Sequence, residues 1–182
     1  MGKVIVVNIE KCLACKSCEI ACAVAHSESK VLEEAICESP KSQRRLTVEA
    51  VAEFAVPLQC RHCEDAPCIA VCPTGAIHRH GAEDPVLINA ELCIGCKFCL
   101  MACPFGVINV SRDGKAMVKC DLCVDRTETG AQPACVEACP TKALKLADEK
   151  ELAADKRKVA AGEAALSAEQ DNYKQKQKEN KQ

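Results

Sequence analysis

CIGCKFCLMACP, residues 93–104, sets Cys93, Cys96, Cys99 and Cys103 in the spacing C-x2-C-x2-C-x3-C and closes on a proline. The same run stands near the start of the chain as CLACKSCEIAC, residues 12–22, carrying Cys12, Cys15, Cys18 and Cys22, with Ala23 in the proline's place. Two further groups follow a second rule. CRHCEDAPCIAVCP (60–73) holds Cys60, Cys63, Cys68 and Cys72, with four residues before the third cysteine and Pro73 behind the last. CDLCVDRTETGAQPACVEACP (120–140) repeats it through Cys120, Cys123, Cys135 and Cys139, with eleven residues before the third cysteine and Pro140 at the close. Sixteen of the seventeen cysteines in the 182-residue chain therefore fall into four groups of four.

A C-x2-C-x2-C loop wraps three sulfurs around one centre, and a fourth cysteine from elsewhere completes a tetrahedron. That is the ligand set of a [4Fe–4S] cubane, and the closing C-x3-C-P is the run of bacterial two-cluster ferredoxins. Disulfides suit the pattern poorly, because the total is odd and neighbouring cysteines stand only two residues apart. MGKVIVVNIEK also lacks the apolar stretch and cleavage site of a secretion signal, so reduced thiols in the cytoplasm are expected. Zinc ribbons use two separated C-x2-C pairs and give the triples and the cysteine–proline steps no role. Trp is absent, and only three Phe and one Tyr are present, so clusters are expected to fill the space that aromatic side chains usually fill.

The formal charge of −2 excludes a strongly basic nucleic-acid binder. Four oxidised cubanes with their thiolates, at about −2 each, would take the loaded chain to roughly −10. No stretch reaches the roughly 20 apolar residues of a bilayer span, and Gly2 lacks the downstream Ser or Thr of a myristoylation signal. Direct membrane insertion is not expected; a membrane would be reached only through a partner.

The four groups form an internal repeat, the first matching the third and the second matching the fourth. Short apolar runs flank them: VIVVN (4–8), AIHR (76–79), VLIN (86–89), VINV (107–110) and ALKL (143–146) read as strands. HGAEDP joins AIHR to VLIN as a hairpin, and VIVVN and ALKL are placed to pair across the chain ends. The expected fold is α+β: two nested ferredoxin-like 2[4Fe–4S] units with short β-hairpins and helices, plus a C-terminal helical extension. Residues 1–22 and 111–147 form the outer unit and 60–110 the inner one. Residues 23–59 are an insertion over the clusters, with helical spacing through Val31, Leu32, Ala35 and Ile36, and with TVEAVAEFAVPL (47–58) either strand or irregular. Residues 148–182 read as helix, begun by a capping box at Asp148 and Glu151, with Leu152, Val159, Leu166 and Tyr173 every seven residues. Gly162 and a second cap at Ser167 and Gln170 suggest a break into two segments.

In the two-cluster pattern the cysteine before proline ligates the other cluster of its unit. Combined with the nesting, that rule predicts four sets: Cys12, Cys15, Cys18 and Cys139; Cys22, Cys120, Cys123 and Cys135; Cys60, Cys63, Cys68 and Cys103; and Cys72, Cys93, Cys96 and Cys99. The first group departs from the third at Ala14, where Gly95 would let backbone N–H groups approach sulfur more freely, and at Ala23. Such differences shift cluster potentials. Lys11, Lys16, Arg61, Lys97 and Lys119 lie beside ligands, where they could raise potentials or dock an acidic partner; solvated surface charge is the role expected of most of them. Cys37 is left over and is expected to be an ordinary buried thiol. His26 and His62 stand near cysteines, but the sixteen thiols already complete four sites; His78 and His80 read as strand or turn residues.

CEIACAVAHS (18–27), VPLQCRHCEDAPC (56–68), VCPTGAI (71–77), KCDLC (119–123) and PACVEACPTKAL (133–144) resemble the four-cluster iron–sulfur electron-transfer subunits of anaerobic carbon monoxide dehydrogenase, formate dehydrogenase and hydrogenase systems. CAVAHSESK (22–30) with AVPLQCRHCEDAPC (55–68) is most similar to the carbon monoxide dehydrogenase-associated member. The resemblance covers residues 1–147 and implies an electron carrier, not an enzyme, that passes electrons from a dehydrogenase to a hydrogenase or another redox acceptor. Formate dehydrogenase and hydrogenase subunits are the alternative. Another is a bridging or filament-forming scaffold built through the C-terminal helix.

Overall fold

The computed structural model describes residues 2–179. Its elements follow in the order β1 (Val4–Val7), α1 (Ser17–Ala25), α2 (Leu32–Ala35), β2 (Thr47–Val51), β3 (Phe54–Leu58), α3 (Pro67–Ala70), β4 (Ile77–His78), β5 (Leu87–Ile88), α4 (Phe98–Ala102), β6 (Asn109–Val110), β7 (Met117–Val118), α5 (Val124–Thr127), α6 (Ala134–Glu137), β8 (Leu144–Ala147) and α7 (Glu149–Glu179). The helices and small sheets make an α+β fold. The chain divides into two units, residues 1–146 and 147–182.

Proline decides how far the helix after each cysteine loop can run. In the third group Cys103 precedes Pro104, is held extended at φ −76° and ψ 114°, and ends α4 after five residues. In the first group Ala23 imposes no such stop, and α1 continues through Cys22 to Ala25, nine residues in all. The departure noted at Ala23 thus lengthens a helix and carries His26 to its C-terminal end.

Four two-stranded sheets surround the loops: β1 with β8, β2 with β3, β4 with β5 and β6 with β7. The chain ends come together through β1 and β8, with the Asn8 N–H donating to the Ala143 carbonyl at 2.8 Å. β4 and β5 are antiparallel, Ile77 opposite Ile88, on either side of the Gly and Pro turn. Residues 47–58, read from sequence as strand or irregular, form the longest hairpin, running from Thr47 opposite Leu58 to Val51 opposite Phe54. Its turn is Ala52–Glu53, with Ala52 at φ 51°, and so lacks the Asn-Gly or Asp-Gly signal that marks such turns in sequence. β7 pairs with β6 and was not anticipated, because two apolar residues carry no period.

Two cores result. Ile5, Leu46, Val48, Leu122, Val136 and Leu144 pack around Cys18, Cys22, Cys120, Cys135 and Cys139. Ile77, Val86, Ile108 and Met117 pack around Cys68 and Cys99. The 47–58 hairpin is tied to the first core by Glu19, whose carboxylate accepts the Val48 N–H at 2.7 Å and pairs with Arg44 at 3.3 Å.

The helical spacing at 31–36 yields a single turn, α2, which buries Ala35 and leaves Ile36 and Cys37 exposed. The expectation of a buried Cys37 is corrected accordingly: one turn has too little length to carry both faces inward. In α7 the capping box is formed, Asp148 Oδ1 accepting the Glu151 N–H at 2.9 Å and Glu151 Oε2 accepting the Asp148 N–H at 3.3 Å. Its backbone is continuous to Glu179, so the break expected near Gly162 and Ser167 does not occur; one interior glycine costs only about 1 kcal/mol. Val159 and Leu166 are exposed. The Tyr173 side chain and residues 180–182 lie outside the described residues.

Gly95 and Ala14 occupy the same place in their loops, at φ 67° and 55°. A Cβ on Gly95 would stand 3.1 Å from the Lys115 carbonyl oxygen. Gly95→Ala should therefore destabilise the loaded protein by about 1–2 kcal/mol, whereas Ala14→Gly should stabilise it by up to ~1 kcal/mol. Thermal melts under anaerobic conditions check both; an unchanged melt for Gly95→Ala would contradict this reading of the loop.

Candidate metal centres

Each cysteine loop turns through left-handed backbone. Ala14 and Lys16 in the first loop match Gly95 and Lys97 in the third, His62 marks the second, and Leu122 and Cys123 mark the fourth. Successive turns of this kind point backbone N–H groups into one concavity, a shape that receives anions. Non-glycine residues there cost about 1 kcal/mol each and persist where the surroundings fix them. Behind the closing prolines, Gly75, Gly106 and Lys142 take the left-handed position in turn.

The loops bring cysteines of different groups together. One cavity is lined by Cys12, Cys15, Cys18 and Cys139; a second by Cys60, Cys63, Cys68 and Cys103; a third by Cys72, Cys93, Cys96 and Cys99. All three are narrow clefts, open in part to solvent. Cys22, Cys120, Cys123 and Cys135 are all buried, and the charges of Cys22, Cys120 and Cys123 each push the Cys135 thiol upward.

The sets also have neighbours. The Cys18 charge acts on Cys135, and the Cys60 charge acts on Cys120. Cys68 lies in α3, and Cys72 follows two residues beyond its end.

The donor chemistry fits iron–sulfur clusters. No His or carboxylate lines the three cavities, so each offers thiolates alone, a soft set. In the first and third loops three thiolates come from one C-x2-C-x2-C run, which zinc ribbons, built from two separated pairs, do not use. Burial pushes the Cys18 thiol up to about 11 and the Cys120 thiol up to about 12, with Cys135 higher still. These groups are not thiolates at neutral pH by themselves; a cationic metal core must supply the charge that ionises them. Backbone donors are already aimed at sulfur: the Arg45 N–H at Cys22 Sγ (3.2 Å), the Ala143 N–H at Cys139 Sγ (3.2 Å) and the His62 N–H at Cys60 Sγ (3.4 Å).

The remaining sequence candidates divide. Lys11, Lys16, Arg61 and Lys97 are exposed, as expected of most of the five, but Lys119 is buried. His78 and His80 make an edge-to-face contact at 4.7 Å. His62 is buried; its Nδ1 accepts the Val86 N–H at 3.0 Å, and its Nε2 has no partner among the described residues. Burial, with the Lys119 charge second, lowers His62 to about 3 and keeps the ring neutral.

Sequence reasoning missed the polar group beside Cys22. His26 Nε2 donates to Asp121 at 3.1 Å, His26 Nδ1 faces the Cys22 carbonyl at 2.7 Å, and Arg45 pairs with Asp121. Asp121 lies inside KCDLC, but nothing in the sequence brings Arg45 or His26 to it. Burial opposes ionisation of Asp121, yet the His26 hydrogen bond and the Arg45 charge hold its carboxyl well below the usual range. For His26, burial works against the charged ring, but bonds to Asp121 and Cys22 and the Asp121 charge outweigh it and raise His26 to about 9.

Family descriptions match the chain at residues 51–149, as a 4Fe-4S dicluster domain, and at residues 9–25, as a 4Fe-4S binding domain. An iron-sulfur protein of Rhodospirillum rubrum is 49% identical over 158 residues, covering 80% of this chain and 82% of its own length. Electron transport protein HydN of Escherichia coli is 38% identical over 182 residues, with 88% and 98% covered. A subunit of the anaerobic dimethyl sulfoxide reductase of Haemophilus influenzae is 37% identical over 149 residues, with 79% and 72% covered.

The Asp121 network carries a pH signature. A raised imidazole contributes stability fully below its unfolded value of about 6.5 and loses it as pH rises through about 9. A depressed carboxyl contributes above about pH 4 and loses its contribution as pH falls. Between those values the network is at full strength. Asp121→Asn should cost about 3 kcal/mol at pH 6, by leaving two partly buried cations without their partner, and should remove the weakening toward pH 9.5. Guanidinium midpoints at the two pH values test this, and a wild-type midpoint that does not fall between pH 6 and 9.5 would count against it.

Proposed function

Because the chain belongs to the ferredoxin-like [4Fe–4S] electron-transfer proteins and carries four [4Fe–4S] clusters, we propose that it is the relay subunit of an anaerobic oxidoreductase complex, conducting electrons between a dehydrogenase and a second redox protein. When bound, each cluster accepts and releases one electron. In this reading Cys12, Cys15, Cys18 and Cys139 hold the first cluster, and Cys22, Cys120, Cys123 and Cys135 the second. Cys60, Cys63, Cys68 and Cys103 hold the third, and Cys72, Cys93, Cys96 and Cys99 the fourth. The outer of two nested units supplies the first two sets and the inner unit the last two.

The observation that carries the proposal is the order of the sets. The first acts on the second through Cys18 and Cys135, the second on the third through Cys120 and Cys60, and Cys72 of the fourth follows closely on α3, which holds Cys68 of the third. Exposure separates the second set from the others. Cys15 of the first set is exposed and Ile94 and Met101 beside the fourth are 67% and 71% exposed, while every cysteine of the second set is buried. Partners would approach the two ends, and the second set is the one shielded on all four cysteines.

Carbon monoxide dehydrogenase is the donor we favour, on the resemblance carried by residues 22–30 and 55–68. Carbon monoxide oxidation releases two electrons, which single-electron carriers can divide. Formate dehydrogenase and hydrogenase remain the alternative partners. No helix of the described residues is long and apolar enough to cross a membrane.

The test is anaerobic co-purification on the tagged full chain, with mass spectrometry of what is retained. Carbon monoxide dehydrogenase should be recovered, and carbon monoxide should then bleach the clusters' visible absorbance. Recovery of a formate dehydrogenase or hydrogenase alone would replace the favoured donor. Deletion of residues 149–182 separates relay from scaffold: the relay reading expects roughly sixteen irons per chain and full dithionite reducibility to survive it. Loss of assembly on sedimentation, with reducibility intact, would assign the helix the bridging role.

A further inference from the structure

Lys119 stands apart from the other cations beside cysteine ligands. It is 3% exposed, and its ammonium donates to two backbone carbonyls, Val86 and Cys120, the latter at 3.0 Å. Among the described residues no carboxylate forms an ion pair with it. A buried ammonium held by carbonyls alone is costly unless opposite charge lies nearby. The charge is nearby on two sides. Lys119 adjoins Cys120, and its charge acts on Cys68, whose other electrostatic neighbours are Cys60 and Cys103. The Cys60 charge acts on Cys120 as well. Lys119 is therefore bonded to the backbone of Cys120 and is within electrostatic reach of Cys68, which is grouped with Cys60 and Cys103.

The two carbonyls add position to charge. Val86 is among the least exposed side chains of the second core, at 1%, and Cys120 belongs to the first. Bonds to both fix the ammonium at the boundary of the two cores, where it cannot swing to solvent. A fixed positive charge in a low-dielectric place stabilises whichever neighbouring state is more negative, here the reduced one.

Resting on the ligand sets proposed above, we propose that Lys119 is a positioning residue for the relay: its buried charge holds the two central clusters at higher reduction potential than they would otherwise have. Arg61, Lys97, Lys11 and Lys16 are exposed, and solvent screens them, so they have no comparable effect.

The experiment uses the full chain, purified anaerobically, as wild type, Lys119→Arg, Lys119→Gln and Lys119→Met. Iron is counted first, and each variant is then titrated with dithionite and followed by EPR. Lys119→Gln keeps a donor for the carbonyls and removes the charge; Lys119→Met removes both. The expected result is full iron in Lys119→Gln, with two of the four midpoint potentials shifted negative and two unchanged, and a wild-type titration in Lys119→Arg. Four unchanged potentials in an iron-replete Gln or Met variant would overturn the proposal, as would an equal shift of all four. Loss of all clusters from both neutral variants would assign Lys119 a role in folding alone and overturn it too. A wild-type chain with fewer than four clusters would instead refute the reading on which the proposal rests, before any variant is compared.

Discussion

Convergence of thiolates on iron is the constraint from which the rest of the structure follows. The chain has four Phe and Tyr residues and no Trp, and its two cores are packed around cysteines. Sulfur takes the central place that aromatic rings would occupy, and the sheets that enclose it have two strands each, too small to stand alone in water. The loops hold Ala14, Lys16, His62, Lys97, Leu122 and Cys123 in left-handed backbone, and burial forces the Cys18 and Cys120 thiols upward. Both costs are offset once four sulfurs share a metal core. Folding and cluster loading are thus expected to be one event, as in other small metal-held domains.

Much of this was legible in the spacing of cysteines. The loops, the strands at the chain ends, the 77–88 hairpin and the capping box at Asp148 each have a local chemical signal, and each is present. What the sequence did not disclose was non-local or unsignalled. The 47–58 hairpin turns at Ala52–Glu53, without the residues that usually mark a turn. Cys37 was read as buried because cysteines usually are, but a one-turn helix left it outside. Nothing in the sequence set Lys119 apart from the four exposed cations beside ligands; only the folded chain places its ammonium against Val86, 33 residues away. The His26, Asp121 and Arg45 group joins positions up to 95 residues apart, and no spacing rule anticipates it.

The same constraint shapes the electron path. Omitting proline at position 23 lengthens α1 and brings His26 to Cys22, so the irregular first group acquires a polar network the third lacks. Backbone donors to Cys22, Cys60 and Cys139, the buried charge of Lys119 and graded burial from Cys15 inward are the means by which one chain gives chemically identical clusters different potentials. A repeated motif supplies the sites, and departures from the repeat differentiate them.

The central claim is that the cysteine before each proline, or before Ala23, serves a neighbouring set and not its own loop. Replacing Cys12, Cys15, Cys18 and Cys139 together with serine tests it most directly, read by iron content and by EPR and Mössbauer spectra of the anaerobically purified chain. Crossed ligation places all four in one site and predicts three intact cubanes and roughly twelve irons. Ligation of each cluster by its own group would damage two sites at once, and two intact cubanes would contradict the account.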